Sequence, residues 1–485
     1  MTAARTDASC NKRHPPNMMK AANQLPPAAL GLDPRPNALV DWFDKFPTAG
    51  NLSPSYPEPV KLADLLAMQN AEEAEEWQEL AMGYTSATGG LPLRQEIVTA
   101  CRYSAVSPEQ VLCCVPDEGI FLALMALLQP GTRVVVTCPA YNSLFELAHA
   151  RGCTLVHWLP AEAGDNDASG RQPGELWFDP AELRRLVGGG DAHGPPTSLV
   201  VVNFPHNPTG CLPTRQEQLE MVEICRAGGG GGGGGNPAAP IPCFCDEIYR
   251  LLEYRPDTDR LPAMCDVYPE GGLSLGGLSK AFALPGLRIG WLATQNPAVL
   301  AQAAKLKTYT TICCGTPNEL LARTALRNGD KLIARNLAIL ADNLETVERF
   351  FLAHPAVFEQ PFVRPRAGTV AFPKLTERAA AAAAAALAAS APRGGDTGPA
   401  TATGADAYCE WLGSVHQLVL VPPAALSPPD VAAVLAERLG PRFRVGFGRE
   451  TLPGLLQQWG QAIAADAAMA EAEAEAEAAA VSARL

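Results

Sequence analysis

A lysine and an arginine eight positions apart are the side chains of this chain best suited to chemistry. Lys280 follows a small hydroxyl residue and Arg288 follows Pro-Gly-Leu, in the segment LSKAFALPGLRIGWL. An amine at the end of a strand can form an imine once partial burial and a neighbouring cation lower its pKa. A guanidinium binds a phosphate through paired N–H donors that a lysine lacks. The segment therefore indicates imine formation at Lys280 and phosphate binding at Arg288; a surface loop carrying two solvated cations is the alternative.

Two upstream segments place further polar side chains at the ends of apolar strands. In SLVVVNFPHNPTGCLPT, an apolar run over 199–202 leads into a Pro-Gly turn that contains Asn207. In PCFCDEIYRLLEY, an apolar run ends at Asp246, and Tyr249 follows three positions later. An apolar run closed by turn residues is typical of a strand that ends at a loop, where α/β sheets hold their small-molecule sites.

These motifs, in this order, resemble the pyridoxal-phosphate enzymes of the aspartate aminotransferase superfamily, which have fold type I. The resemblance covers roughly residues 35–460. It implies that Lys280 holds the pyridoxal 5′-phosphate cofactor as a Schiff base and that Arg288 binds the cofactor's phosphate. It also implies that Asn207 and Tyr249 bond the phenolic oxygen. Asp246 would pair with the pyridine nitrogen and keep it protonated, which makes the ring an electron sink.

The phosphate is expected at a helix N-terminus, where free N–H groups and the helix dipole favour an anion. The segment VPDEGIFLALMALL provides that turn, with Asp117 and Glu118 at its start. Two acidic residues depart from the small, uncharged loop common in the family. We therefore expect both to act through their N–H groups, with their carboxylates turned away. Gly277 stands where many relatives carry a phosphate-binding serine, and Ser279 is the candidate that compensates.

Two tyrosines complete the expected cofactor contacts. Tyr141, in VVVTCPAYNS, falls where the family places an aromatic ring against the pyridine. Tyr84, in GYTSATGG, sits where relatives send a tyrosine into the neighbouring subunit's phosphate site. A core or rim tyrosine is the alternative for Tyr141, and an ordinary buried tyrosine is the alternative for Tyr84. The resemblance implies a homodimer with shared active sites.

Substrate recognition is expected in the C-terminal segment FRVGFGRE. Family members carry an arginine in this strand that binds the α-carboxylate of an amino acid through two hydrogen bonds. Arg444 is the best match, because the alternation of apolar residues at 443, 445 and 447 leaves the opposite face to 444, 446 and 448. Arg449 is the competing candidate.

Composition is consistent with an enzyme acting on small molecules. The chain has 485 residues, 47% hydrophobic and 18% charged, so it can bury a large core. A net charge of −13 argues against a nucleic-acid partner. No apolar stretch is long enough to span a bilayer, which needs about 20 residues. The 14 cysteines lack metal-site spacing and predict reduced core thiols in a cytoplasmic protein, although the N-terminal extension could be a targeting segment.

Strand-like runs such as RVVVTC, TLVHWL, SLVVVNF, IPCFCD, LSLGGL and GWLAT are separated by helical patterns in several places. This alternation predicts an α/β fold with a mostly parallel central sheet and helices on both faces. We expect a large cofactor domain over 85–305 and a smaller α+β domain from 30–84 and 306–462. Low-complexity or polar segments lie at 1–29, 161–175, 228–235, 378–406 and 463–485. We expect a disordered extension at 1–29, loops at 161–175 and 228–235, a frayed helix followed by a disordered loop in 378–406, and a frayed helix or no structure in 463–485.

Three hypotheses from different functional classes follow. The favoured one is an aminotransferase that moves an amino group between an α-amino acid and an α-keto acid, with Lys280 as the base at Cα. The second uses the same site for elimination, replacement or cyclisation, because several segments resemble a subgroup that includes capreomycidine synthase. The third is a catalytically silent dimer, which has no chemical need to retain Lys280.

Overall fold

The computed structural model describes residues 32–165, 167, 170–188, 195–228, 239–390 and 404–466. The helices alternate with strands along much of the chain; they are α1 Ala38–Lys45, α2 Leu62–Leu66, α3 Ala71–Gln78, α4 Leu91–Ala100, α5 Pro116–Leu127, α6 Ser143–Ala150, α7 Pro180–Val187, α8 Arg215–Ala227, α9 Pro256–Asp259, α10 Met264–Val267, α11 Pro297–Lys307, α12 Thr316–Arg327, α13 Gly329–Ala353, α14 Glu377–Ser390, α15 Ala405–His416, α16 Pro429–Leu439 and α17 over 452–466. Short 3₁₀ turns lie at Pro108–Gln110, Pro285–Leu287 and Pro423–Leu426.

Thirteen strands are described, seven of them in one central sheet. The strands are β1 Gly50–Asn51, β2 Val111–Cys114, β3 Arg133–Thr137, β4 Thr154–Trp158, β5 Ala161–Glu162, β6 Leu176–Trp177, β7 Thr197–Asn203, β8 Cys243–Asp246, β9 Gly272–Gly277, β10 Gly290–Ala293, β11 Val370–Ala371, β12 Leu418–Val419 and β13 Val445–Gly446. The central sheet has the order β2-β10-β9-β8-β7-β3-β4. Within this sheet, strand β10 runs antiparallel to both of its neighbours, and every other pair of neighbouring strands is parallel.

Helices cover both faces of this sheet, because alternate strand residues enter two different cores. Val134 and Val136 of β3 pack in one cluster with residues of α5 and α6. Val135, between them, packs in a second cluster with residues of α7 and α8. A strand buried on both faces is apolar throughout. The predicted α/β architecture with a mostly parallel sheet is therefore confirmed.

The carboxyl ends of β7, β8 and β9 meet at one edge of the sheet. Asn203 ends β7 and lies in register with Asp246, which ends β8. Lys280 lies three residues beyond the end of β9. The predicted strands thus deliver the polar motif residues to one place, where open α/β sheets bind ligands.

An N-terminal segment, residues 52–58, crosses this edge and packs on β13. We call it the N-terminal strap. The Gly446 N–H donates to the Leu52 carbonyl at 2.8 Å. A Cβ atom at Gly446 would stand 2.2 Å from the Pro54 carbonyl oxygen, so no larger residue fits without moving the strap. Glycine at 446 therefore permits the close approach of two backbones.

The structure adds to the sequence-based prediction in two places. Strand β2, whose four residues are all buried, was not predicted. The expected polar loop over 161–175 begins with β5, which pairs with β6. The expectations for 1–29, 229–235, 391–403 and 467–485 lie outside the described residues, and the division into two domains stays a prediction.

Thirteen cysteines lie in the described part of the chain, and all have free thiols. Twelve are buried, and Cys313 is partly buried. The prediction of core thiols is therefore confirmed for these residues. Among the described helices, none combines the length and apolar character needed to cross a membrane.

We predict that Gly446→Ala lowers thermal stability, since the added methyl group must push the strap away from β13. Overpacking of this kind costs about 1–3 kcal/mol. Gly454→Ala is the matched control, because a Cβ atom there meets nothing within 4 Å. Thermal denaturation of both variants checks this, and equal melting temperatures would contradict close packing of the strap.

Candidate active site

Asn203 organises the loop that carries Asn207. Its side-chain amide donates to the Asp246 carbonyl at 2.8 Å, and its Oδ1 accepts from the Asn207 N–H at 2.8 Å. Asn203 is almost fully buried, so both contacts are shielded from water. One side chain therefore links the ends of β7 and β8 and orients the NPTG turn.

Lys280 lies at the centre of the site. Its Nζ donates to the Ser55 Oγ at 2.9 Å, and the rings of Tyr56 and Tyr249 lie 5.7 and 5.6 Å from it. Burial, followed by the positive charge of Arg444, lowers the pKa of Lys280 to about 8, although Asp246 opposes this. Roughly a tenth of the amine is therefore neutral at pH 7, and able to act as a nucleophile or base, which is far more than for an ordinary lysine.

Asp246 is a buried carboxylate beside this amine. Its Oδ1 accepts from the Ile248 N–H at 3.0 Å. Burial raises the pKa of Asp246 to about 7, and the Ile248 N–H and the charge of Lys280 lower it only in part. A cation brought next to this carboxylate would offset its desolvation. Asp246 therefore fits a protonated ring nitrogen.

Arg444 is the most deeply buried cation of the site, with 1% of its surface exposed. Its Nε donates to the Ser53 Oγ at 3.1 Å, one terminal nitrogen to the Ser53 carbonyl at 2.9 Å, and the other to the Asn207 Oδ1 at 3.2 Å. Burial lowers the pKa of Arg444 to about 10, so the guanidinium stays charged at neutral pH. These contacts use three of its five N–H donors, which leaves two for an anion.

Arg449, the competing candidate, has a carboxylate partner within the chain. Its Nε and a terminal nitrogen donate to Glu58 at 2.9 and 3.3 Å, and it also donates to the Tyr56 hydroxyl at 3.2 Å. The fork of its guanidinium is therefore already paired. This arrangement favours Arg444 over Arg449 as the group that meets a substrate carboxylate.

The expected phosphate end contains Arg288 and the first turn of α5. A terminal nitrogen of Arg288 donates to the Asp117 Oδ2 at 3.4 Å. Burial, and after it the charge of Asp117, raise the pKa of the Tyr141 hydroxyl. The Glu118 carboxylate accepts from the Thr310 and Thr311 hydroxyls and from the Val115 N–H at the start of α5. The carboxylate of Asp117 does not turn away as expected. It points to Arg288, the nearest cation at the helix N-terminus.

Three further positions named in the sequence analysis are Ser279, Gly277 and Tyr84. Ser279 is buried next to Lys280. A Cβ atom at Gly277 would stand 2.7 Å from the Ile248 side chain, so a serine there would displace Ile248. Tyr84 is 88% exposed, and its place beside a neighbouring subunit stays a prediction.

The N-terminal strap supplies the residues that the sequence reasoning did not find. Ser53 holds Arg444, Ser55 holds Lys280 and Glu58 holds Arg449. These residues lie in the segment NLSPSYPEP, which is within the span of the family resemblance. The sequence analysis gives this segment no role in the site. Short polar residues between prolines carry no periodic pattern, so their role appears only in three dimensions.

We predict that the Lys280 amine becomes reactive at a lower pH than an ordinary lysine. Only the neutral amine reacts, so its acylation should fall about tenfold for each pH unit below about 8 and level off above it. Trace acetylation of the full chain followed by peptide mass spectrometry measures this, with the exposed Lys61 as internal reference. Identical pH profiles for the two lysines would contradict the environment described for Lys280.

Known proteins share both the sequence pattern and the fold. Capreomycidine synthase of Streptomyces vinaceus is 31% identical over 263 residues, which are 54% of this chain and 58% of that protein. A probable kynurenine–oxoglutarate transaminase of Saccharomyces cerevisiae is 29% identical over 44% of either chain. The matched region thus spans only about half the length of these curated relatives.

Two solved structures superpose over most of the chain. A PLP-dependent aminotransferase from Streptococcus suis has a TM-score of 0.68 at 24% identity, covering 89% of this chain and 98% of that one. The PLP-dependent cyclase OrfR has a TM-score of 0.67 at 26% identity, covering 88% and 97%. The family model for aminotransferase class I and II matches residues 67–391, well over half of the sequence. The chain therefore belongs to the class I and II aminotransferase family.

Proposed function

We propose that this protein is a pyridoxal-phosphate-dependent aminotransferase acting on an α-amino acid and an α-keto acid. One observation carries the proposal. The Lys280 amine, with a pKa lowered to about 8, lies beside the buried Asp246 carboxylate and near the Arg444 guanidinium. A nucleophilic amine, an acceptor for a ring cation and a carboxylate receptor are the three groups that such an enzyme needs.

The residues present fit the cofactor. Asp246 would hold the ring nitrogen, and Lys280 would carry the cofactor covalently. Asn207 has its amide donor available for the phenolic oxygen, since only its Oδ1 is used by Arg444. The Tyr249 hydroxyl, which donates to the Ser55 carbonyl at 3.2 Å, would bond the same phenolic oxygen. When bound, pyridoxal phosphate supplies an electron sink that stabilises negative charge at the substrate Cα.

The phosphate would lie between Arg288 and the N–H groups of Asp117 and Glu118 at the start of α5. Helix N-termini favour anions through unpaired N–H groups and the helix dipole. The Asp117 carboxylate would then have to give up Arg288. Tyr141 would pack its ring against the cofactor, and the buried Ser279 lies next to Lys280.

The chain's own groups account for substrate orientation and proton transfer. Arg444 would bind the α-carboxylate through its two remaining donors, which orients the Cα–H bond toward Lys280. Lys280, once free, would be the base that moves a proton from the substrate Cα. Because burial and Arg444 lower the pKa of Lys280, the amine can be neutral before it acts.

A second reaction class has specific support. Capreomycidine synthase and the cyclase OrfR both resemble this chain, at 31% and 26% identity. The same groups would serve an elimination, replacement or cyclisation at Cβ or Cγ of an amino acid. The two candidates differ in whether an amino group stays on the cofactor after the product leaves.

A homodimer is the assembly that we propose. Large hydrophobic side chains are exposed near the start of α12, where Tyr84 is 88% and Tyr309 is 83% exposed. The segment next to Tyr84 is tied to α12, because the Thr316 hydroxyl donates to the Gly83 carbonyl at 2.6 Å. A partner subunit that covers this surface would bury both tyrosines. A silent dimer is disfavoured, since a non-catalytic protein has no chemical need for Lys280.

Arg444→Ala should keep the cofactor and lose reactivity toward every α-amino acid. Removing a buried charge-assisted partner costs about 2–5 kcal/mol, roughly a thirtyfold to several-thousandfold loss in kcat/KM. Arg449→Ala is the matched control, and it should cost much less because that guanidinium is paired with Glu58. Stopped-flow absorbance with a panel of amino acids measures both. A reversed order of effects would assign the carboxylate site to Arg449.

The keto-acid half-reaction tests the proposed function. The purified, cofactor-loaded protein should lose its visible absorption when it meets its amino acid and regain it when an α-keto acid is added. The Lys280→Ala variant is the control, and it should catalyse neither the loss of the absorption nor its return. If the amino acid is consumed but no keto acid is needed to regain the absorption, the elimination or cyclisation alternative replaces the aminotransferase.

A further inference from the structure

We propose that Ser55 is a positioning residue whose hydroxyl holds the Lys280 amine in line for its reactions. The inference deepens the proposed function and rests on it, since it concerns the amine that this function uses. The Lys280 Nζ donates to the Ser55 Oγ at 2.9 Å, although the two residues are 225 positions apart in the chain.

Ser55 connects two site residues through two different atoms. Its hydroxyl oxygen accepts from Lys280, while its carbonyl oxygen accepts from the Tyr249 hydroxyl at 3.2 Å. A hydroxyl has two acceptor positions and one donor, so Ser55 can accept from the amine and still donate elsewhere. One residue therefore sets the positions of the amine and of the Tyr249 phenol together.

The strap holds Ser55 firmly on both sides. Ser53, two residues before it, is fully buried and exchanges hydrogen bonds with Arg444. Tyr56, the next residue, receives a hydrogen bond from Arg449. The backbone between them lies against β13, since the Pro54 carbonyl fills the space above Gly446. Ser55 thus presents a fixed acceptor rather than one that follows the lysine.

A fixed acceptor matters because a lysine amine ends a flexible four-carbon chain. The rings of Tyr56 and Tyr249 flank the Nζ at 5.7 and 5.6 Å and limit its sideways movement. Neither ring defines a direction for the N–H bonds, whereas a hydrogen bond does. Ser55 is the side chain that supplies this direction.

The same hydrogen bond should affect the charge on Lys280. The charges that face the amine are Arg444 and Arg288, which favour the neutral form, and Asp246 and Asp117, which favour the ammonium form. An acceptor at 2.9 Å also favours the ammonium form, because a charged donor makes the stronger bond. Removal of the hydroxyl should therefore make the amine neutral at a lower pH.

Trace acetylation of the full chain without cofactor tests this on the Ser55→Ala and Ser55→Thr variants. In Ser55→Ala, the pH midpoint of Lys280 acylation should fall by about one unit, since a hydrogen bond to a charged group is lost. Ser55→Thr keeps a hydroxyl and should restore the midpoint. Ser414→Ala, an exposed serine bonded to Glu410, is the matched control and should leave it unchanged.

The half-reaction of the loaded protein gives the second readout. Ser55→Ala should slow the proton-transfer rate about tenfold while the KM for the amino acid changes little, as expected for a misdirected base. An unchanged acylation midpoint in Ser55→Ala would overturn the inference, as would a Thr variant that behaves like the Ala variant. Because acetylation needs no cofactor, this outcome is independent of whether the wild-type chain transaminates.

Discussion

The burial of the Arg444 guanidinium is the constraint on which the site depends. A fully buried cation is costly unless hydrogen bonds satisfy it. Here the partners are Ser53 and Asn207, which come from the N-terminal strap and from the loop after β7. Three distant parts of the chain must therefore be in place before this charge is accommodated. The hydrogen bonds of Arg444 therefore fix the position of β13 relative to the strap and to the edge of the sheet.

Burial and the neighbouring charges set the pKa values of the two titrating groups at the centre of the site, Lys280 and Asp246. Burial moves both Lys280 and Asp246 toward neutrality, which lowers the pKa of the amine and raises that of the carboxyl. Arg444 lowers the pKa of Lys280 further, while Lys280 and Asp246 each favour the other's charged form. An amine with a pKa near 8 and a carboxyl with a pKa near 7 can both change charge close to neutral pH.

The expected phosphate end follows a different physical rule. Arg288 is 45% exposed and has an exposed carboxylate, Asp117, as its partner. Such a pair contributes little stability, because water screens it. An incoming dianion with more acceptor oxygens can therefore replace Asp117 at Arg288 at modest cost. The Arg444 end of the site is buried and the Arg288 end is open to solvent.

Much of the framework followed from local sequence patterns. Apolar runs predicted six strands of the central sheet, and turn residues after two of them located Asn207 and Asp246. These predictions succeed because strand burial and turn chemistry are properties of a few consecutive residues. The apolar run of β2 was not assigned to a strand, although its four residues are buried like those of β8 and β10.

The partners of these residues were decided only by the tertiary structure. Arg444 and Arg449 are five residues apart and equally basic in sequence. Arg444 enters the site because Ser53, 391 positions away, satisfies it, and Arg449 is withdrawn because Glu58 pairs with it. Ser55 meets Lys280 across 225 positions. Hydrogen bonds depend on atoms within about 3 Å, and only the folded chain brings residues this far apart in sequence to that distance.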